Sequence, residues 1–578
     1  MINLKTERSG ARALVESLEK AGVEVLFGYP GGAVLDIFNC LTDAKFPLVL
    51  GRHEQGSVHM ADGYARSLGK VGVCIVTSGP GATNTVTGLA TANIDGVPLV
   101  VISGQVSLPL IGTDAFQEAD TTGITRAVSK HNFLVRSADE IPETVAQAFY
   151  IATHGKPGPV VIDIPKNCQQ AMTSAQYPER VSLRAYHPES AATPVQLSRL
   201  ARLINEAERP VIYAGGGVIA SGAASDVSAL AHKAGIPVAT TLMGLGSFDE
   251  HDPLSLRMAG MHGTPAANWA INDADLILAL GVRFSDRVTG HIAKYAPRAK
   301  IVHVDCDPAS IGKNVPVELG IVADVKDVLT TVGSRVKPAS HPEWLAKIDA
   351  WKKERPLAWK PMHPGVIMPQ AVIEAIDRAT AGRAVVVTDV GQQQMWAAQY
   401  FRYSIPRHFL TSGGMGTMGY GIPAAIGAAI ARPDPTTVAV CGDGGAPMTF
   451  EEVVVAVEHK LPVTFVILNN GCLGMVRQWQ ELFYNKNYSG SILTVKGRPA
   501  NERLDCDLEY DYLPDFVKLA EAHGAEAYRV IDPALLDETI EKAVNSTRTS
   551  LVEVIVEPRA NVYPMIPAGK PVSDMVFD

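Results

Sequence analysis

The chain has 578 residues, room for about four domains of roughly 150 residues or three larger ones. A hydrophobic share of 47% with 19% charged residues describes an ordinary globular enzyme with ample core. Its 51 basic residues against 60 acidic ones leave a net charge of -9 with no basic cluster, which argues against nucleic acid and anionic membranes as partners.

No apolar run reaches the roughly 18 residues of a membrane span. The opening Met1-Ile2-Asn3-Leu4-Lys5 has neither an apolar signal core nor an Arg/Ser-rich transit stretch. The seven cysteines include no C-x-x-C pair. A reduced, cytoplasmic chain with neither zinc nor disulfides is expected.

Strand and helix signals alternate along the whole chain, which predicts an α/β protein of doubly wound parallel sheets in three units. In the first unit, residues 1–185, Ser9 caps a helix whose Ala13, Leu14 and Leu18 form an apolar stripe ended by Gly22. Strands are predicted at 23–27, 47–50, 72–77, 99–103 and 159–164. The polar, proline-punctuated segment 182–194 reads as a linker.

The second unit, 195–335, carries strands at 210–214, 276–280 and 301–304. Gly215-Gly216-Gly217 follows the first of these, a weak dinucleotide signal without G-x-G-x-x-G spacing. Asp305 ends the third strand, where it could bind a ribose or adenine edge, and Asp324 is similarly placed. A second linker, rich in Pro, Lys and Trp, is predicted at 336–369, and the third unit occupies 370–578. The stretch 489–511 lacks periodicity and ends acidic; a solvated loop is the expectation and an active-site flap the alternative.

The third unit holds the sharpest motif. Gly442-Asp443-Gly444 is followed by an apolar strand that stops at Asn469-Asn470, with Asp443 and Asn470 27 residues apart. That spacing fits one strand end, a helix, and the end of the next parallel strand, where open α/β sheets bind ligands. A carboxylate and an amide oxygen converging there suit a hard cation carrying a phosphate, Mg²⁺ above all, and the glycines let backbone N–H groups approach a diphosphate. Cys472 as a thiolate ligand is disfavoured, because Mg²⁺ prefers oxygen. The pattern resembles the diphosphate-and-metal motif of thiamine diphosphate (ThDP) enzymes. Glu54, in Arg52-His53-Glu54-Gln55-Gly56 just after a strand, then offers the carboxylate that such a cofactor's pyrimidine ring needs.

Further runs extend the likeness: Phe27-Gly28-Tyr29-Pro30-Gly31-Gly32-Ala33, Thr77-Ser78-Gly79-Pro80-Gly81-Ala82-Thr83-Asn84, Asp114-Ala115-Phe116-Gln117-Glu118-Ala119-Asp120, Thr241-Leu242-Met243-Gly244-Leu245-Gly246, Gly260-Met261-His262-Gly263-Thr264, Val390-Gly391-Gln392, Leu473-Gly474-Met475-Val476-Arg477-Gln478-Trp479 and Asn561-Val562-Tyr563-Pro564-Met565. By their number and order the chain resembles the catalytic subunits of the acetohydroxyacid synthase (acetolactate synthase) family along nearly its whole length.

The resemblance implies roles. Glu54 would activate the pyrimidine, the Gly416 backbone would accept from it, and Met418 would hold ThDP bent. Asp443, Asn470 and the carbonyl of Cys472 would bind Mg²⁺ beside a diphosphate flanked by Gly391, Gln392, Gln393, Gly444 and Gly445. Arg287 would grip the carboxylate of a second 2-oxoacid with its planar fork, and Trp479 would favour 2-oxobutanoate over pyruvate as acceptor. Phe116, Gln117 and Lys166 would surround the substrate entry. FAD would lie in the middle unit against Lys156, Gly216, Gly217, Leu242, Met261, His262, Gly281, Arg283, Asp305 and Asp324.

The implied reaction condenses pyruvate with pyruvate or 2-oxobutanoate, feeding branched-chain amino acid synthesis. The implied assembly is a homodimer or homotetramer with each site shared between the first unit of one subunit and the third of another; a separate regulatory subunit is a candidate partner. The alternatives are a related ThDP lyase or carboligase with another acceptor, and a pyruvate-oxidase-type flavoprotein. Departures from the family pattern are Gln393 for a His, Gly445 through Phe450 after the Gly-Asp-Gly, Ser285 for an acid, Lys156 for an arginine, and Gly471-Cys472 after Asn470.

Overall fold

The computed structural model describes residues 7–434, 436–493 and 514–577. A short antiparallel pair, β1 (Arg8–Ser9) with β8 (Met172–Thr173), ties the start of the first domain to its end. Between them lie β2 (Leu26–Gly28), β3 (Leu48–Leu50), β4 (Gly72–Val76), β5 (Leu99–Gln105), β6 (His131–Leu134) and β7 (Pro159–Pro165), paired in the order β3-β2-β4-β5-β7-β6. The middle domain contributes β9 (Pro210–Ala214), β10 (Val238–Thr240), β11 (Ser255–Met258), β12 (Leu276–Leu280), β13 (Lys300–Asp305) and β14 (Leu319–Val322), ordered β11-β10-β9-β12-β13-β14. The third carries β15 (Val385–Thr388), β16 (Phe409–Leu410), β17 (Thr437–Gly442), β18 (Val463–Asn469), β19 (Glu526–Val530) and β20 (Ser550–Ile555), ordered β16-β15-β17-β18-β20-β19.

Every strand pair within these three sheets is parallel. Central strands such as β7 and β18 are buried along their full length, as sheets covered by helices on both faces require. The predicted strands fall within a few residues of the observed ones, and 210–214 and 276–280 coincide with β9 and β12.

The first and third domains share one core. It forms where the helix Glu54–Leu68, which follows β3, crosses the helix Gly421–Ala431, which follows β16. A Cβ on Gly63 would run into the carbonyl oxygen of Ala424, and one on Gly427 into that of Met60. Only glycine lets the two backbones touch here. Buried polar groups pin the crossing: Arg66 donates to Asp62 and Asp95, and the Tyr420 hydroxyl donates to Asp62 at 2.6 Å.

The expected linker 336–369 is partly structured. Residues Pro342–Glu354 form a helix whose Trp344 and Ile348 are buried against the middle sheet, with the Trp344 indole donating to Pro210 O at 3.1 Å. Trp344, Ile348 and Trp351 stand at helical spacing, a narrow stripe that the surrounding Pro and Lys residues obscure in the sequence. Of the stretch 489–511, residues 494–511 lie outside the described residues. Its start pairs back onto the third domain through a bridge between Ile492 and Cys472. Among the described residues no helix is long and apolar enough to cross a membrane.

Candidate active site

Parallel pairing of Gly442 with Leu468 brings the ends of β17 and β18 side by side, so Asp443 and Asn470 emerge into one crevice. Asp443 is buried, and that burial pushes its carboxyl up to about 7 against the pull of nearby backbone N–H groups. Asn470 accepts from Cys472 N through its side-chain oxygen at 3.2 Å. Burial pushes the Cys472 thiol up to about 12, so the sulfur stays protonated and its carbonyl is the group fit for a hard cation. Among the described residues no cluster of three or more His, Cys, Asp or Glu side chains is placed to hold a metal. A carboxylate, an amide oxygen and a backbone carbonyl are nonetheless the donor set that Mg²⁺ with a diphosphate takes. A Cβ on Gly444 would collide with Leu473, and one on Gly445 would come within 2.7 Å of Asp389, so the turn stays bare.

The glycine loop 412–419 closes another side. Gly416 has φ +69°, a conformation that favours glycine, and Met418 stands two residues on. Gln392 and Gln393 open the helix Gln392–Tyr400 after Gly391. The Gln392 amide donates to Gln478 Oε1 at 2.8 Å and Ala560 O at 2.9 Å. That anchors the helix Gly474–Phe483, which presents Trp479.

Asp443, Asn470, Cys472, Gly416, Met418 and Trp479 line a single cavity of about 1290 Å³ that runs on into the middle domain. Leu242, Met261, His262, Arg283, Asp305, Asp324 and Lys156 line its far end with Gly216, Gly217 and Gly281. Here β9 and β12 are neighbours although β10 and β11 separate them in sequence, so the crevice falls at the topological switch point of the sheet. The loops after the two strands touch: a Cβ on Gly217 would lie 2.6 Å from the Gly281 Cα. A strand order with β9 and β12 flanking the switch is that of a dinucleotide-binding sheet, and the bare glycine loops leave room for a pyrophosphate to approach the backbone. Arg283 is bound to Ile94 O at 3.1 Å, and Lys156 stands 3.9 Å from Asp307. Burial pushes the Asp305 carboxyl up to about 6 and the His262 imidazole down to about 4, which keeps that ring neutral.

Arg287 and Trp479 meet across the same cavity with the guanidinium over the indole, 5.7 Å from its centroid. The Arg287–Asp286 pair is 3.9 Å apart and exposed, too weak to define the arginine's role. Trp479 is half-buried at the cavity wall and does not belong to the core.

Four predicted site residues stand apart from this cavity. Glu54, Phe116, Gln117 and Lys166 line none of it. Glu54 accepts from the Asn84 amide at 3.0 Å, the Lys166 amine lies 3.3 Å from Gly32 O, and Phe116 is 89% exposed. They gather around the switch point of the first sheet, between the loops after β2 and β4. Within one chain these four residues therefore stand outside the cavity that Asp443 and Asn470 line.

Several supporting residues went unread in the sequence. Asp389, directly after β15, accepts from Gly419 N at 3.0 Å and Gly421 N at 3.3 Å and so shapes the glycine loop. Burial raises its carboxyl to about 6. Asp95 of the first domain accepts from Gly413 N and Gly414 N at 3.0 and 2.8 Å. Asp389 sits at a strand end, as Asp443 does, and that position was a legible signal; Asp95 had none.

Three parallel-sheet domains, with the strand-end crevices of the second and third opening into one cavity, define a multidomain cofactor enzyme. Family models of the thiamine pyrophosphate enzymes match in order: the N-terminal TPP binding domain over residues 8–124, the central domain over 197–332, and the C-terminal TPP binding domain over 389–554. The chain is 46% identical to acetolactate synthase 1, chloroplastic, of Zea mays, over 99% of this chain and 89% of the relative. It is 44% identical to the probable acetolactate synthase large subunit of Methanocaldococcus jannaschii (98% and 95% covered) and 44% identical to the acetolactate synthase large subunit of Haemophilus influenzae (98% of each). The chain belongs to the thiamine pyrophosphate enzymes, in their acetolactate synthase family.

Proposed function

We propose that the chain is the catalytic subunit of an acetolactate synthase that decarboxylates pyruvate and joins the remaining two-carbon unit to pyruvate or 2-oxobutanoate. The products would be the acetohydroxyacids from which valine, leucine and isoleucine are made. The observation that carries this reading is the Arg287–Trp479 pair on the cavity that also holds Asp443 and Asn470. A decarboxylase needs no cation for a second carboxylate, whereas a carboligase does.

When bound, thiamine diphosphate supplies the carbon nucleophile and electron sink that decarboxylation of a 2-oxoacid requires. Asp443, Asn470 and the Cys472 carbonyl would hold its Mg²⁺; Gly391, Gln392, Gln393, Gly444 and Gly445 would flank the diphosphate, and Gly416 and Met418 the pyrimidine. Arg287 would fix the acceptor's carboxylate by a two-bond fork, and Trp479 would shape the space for its alkyl end. Glu54 would hold a proton against the pyrimidine nitrogen of the cofactor bound by a partner subunit, with Phe116, Gln117 and Lys166 entering beside it.

The separation of Glu54 from the Asp443 crevice within one chain supports a homodimer or a homotetramer built from dimers. On this reading residues 1–185 are the pyrimidine-binding domain, 195–335 the central FAD-binding domain and 370–578 the diphosphate- and Mg²⁺-binding domain. Relatives named large subunits support a smaller regulatory partner, and the composition supports a cytoplasmic protein.

Product analysis by mass spectrometry tests the proposal. The purified chain receives ThDP, Mg²⁺, FAD, pyruvate and 2-oxobutanoate, with one reaction lacking FAD. Acetohydroxyacids are expected, and Glu54→Gln is expected to abolish them. Acetaldehyde or acetate alone would make the chain a decarboxylase or an oxidase.

A further inference from the structure

The backbone that presents Glu54 is held by a carboxylate from the other end of the chain. Glu452 is fully buried, and among the described residues it forms no ion pair with a Lys, Arg or His side chain. One of its oxygens accepts from Arg52 N at 3.1 Å and His53 N at 2.9 Å, and the other from Arg52 N at 3.0 Å. The Arg52 guanidinium turns away to Leu50 O and Glu458. A Cβ on Gly56 would collide with Glu452 Oε1, so the first turn of the helix closes directly onto the carboxylate. A buried anion taking the unpaired N–H groups at a helix start is a strong, charge-assisted arrangement. His53 caps that helix and Glu54 is its first residue, so whatever fixes residues 52 and 53 fixes the origin of the Glu54 side chain.

Glu452 lies nine residues beyond Asp443, joined to it by the short turns Ala446–Met448 and Phe450–Glu452. We propose that Glu452 is the positioning residue for Glu54, and that it ties the cation crevice a chain uses itself to the acid it lends its partner. The inference rests on the reading of Glu54 given above. It assigns to Glu452 no contact with substrate or cofactor.

The test compares Glu452→Gln, Glu452→Asp and Glu54→Gln as full-length proteins with ThDP and Mg²⁺. Three quantities are read: hydrogen–deuterium exchange of backbone amides in the 50–58 segment without cofactor, the affinity for Mg²⁺–ThDP, and the rate at which the C2 proton of bound ThDP exchanges with D₂O. An amide nitrogen in place of one carboxylate oxygen opposes the N–H groups. Glu452→Gln is therefore expected to speed amide exchange at 52–53 and leave cofactor affinity within about threefold. It should slow C2 exchange about 10–100-fold, the scale of a displaced acid–base partner. Glu452→Asp, which keeps the charge, is expected to fall between it and the parent; it also stands in if the Gln variant does not fold.

Unchanged C2 exchange in both Glu452 variants, with Glu54→Gln slow, would overturn the proposal alone. Normal C2 exchange in Glu54→Gln would overturn the reading of Glu54 and the proposal with it.

Discussion

The guanidinium of Arg287 lies over the Trp479 indole, 5.7 Å from its centroid, and joins the middle domain to the third across the cavity. On the proposed function the arginine grips the acceptor's carboxylate while the indole bounds the space beside it. Replacing Trp479 by Leu removes the wall against an alkyl end. A methylene against such a wall is worth about 1–3 kcal/mol. Trp479→Leu should shift the product ratio from the 2-oxobutanoate-derived acetohydroxyacid toward acetolactate by about tenfold or more at equal substrate concentrations. An unchanged ratio would remove Trp479 from the acceptor pocket.

Asp443 buries a carboxyl in a crevice where, among the described residues, no Lys or Arg forms an ion pair with it, a cost the fold carries for the sake of a ligand on the proposed reading. Asp443→Asn should raise the thermal midpoint of the cofactor-free protein. The same variant should weaken Mg²⁺-dependent ThDP binding by more than about tenfold and lose the added stability the cofactor gives the parent. Calorimetry with and without Mg²⁺–ThDP reads both effects; parental binding by the variant would refute the ligand assignment.

Gly427 faces the carbonyl of Met60 at the crossing between the first and third domains. Gly427→Ala gains up to about 1 kcal/mol of helix propensity. Overpacking against a backbone that cannot rotate away costs about 1–3 kcal/mol, and that effect wins. The comparison variant is Gly333→Ala, in a helix with open space around its Cβ position. Unfolding in urea should show Gly427→Ala destabilised and Gly333→Ala neutral or stabilised.

His59 is fully buried in the same crossing, edge-on to Tyr420. Burial, with a smaller push from Arg66, lowers its pKa to about 3. The folded chain keeps the ring neutral while an unfolded chain protonates it below about 6.5, so stability is present above pH 6.5 and drains as pH falls toward 3. About 2 kcal/mol should be gone by pH 5. Denaturation midpoints at pH 7 and pH 5 should diverge less in His59→Gln than in the parent.

Much of this molecule was legible before any coordinates. The Asp443–Asn470 spacing gave the crevice because a strand–helix–strand unit has a narrow range of lengths, and strand ends in parallel sheets converge. Glu54 was legible only with the distant motif in hand. The helix 342–354 was not, since its stripe of Trp344, Ile348 and Trp351 is diluted by Pro and Lys. Glu452 and Asp95 were not either: Glu452 meets a backbone 400 positions away, and such a contact leaves no local pattern.

The helices that cross at Gly63 and Gly427 occupy equivalent places, each between the second and third strands of sheets with the same strand order. Their contacts are reciprocal. Gly63 meets Ala424, three residues before Gly427, and Gly427 meets Met60, three residues before Gly63. This is the self-complementary pattern of a two-fold axis, here running through a single chain. A surface that fits itself in this way constrains both modules at the crossing and leaves their strand ends free to differ. One carries Glu54 there, and the other Asp443 and Asn470.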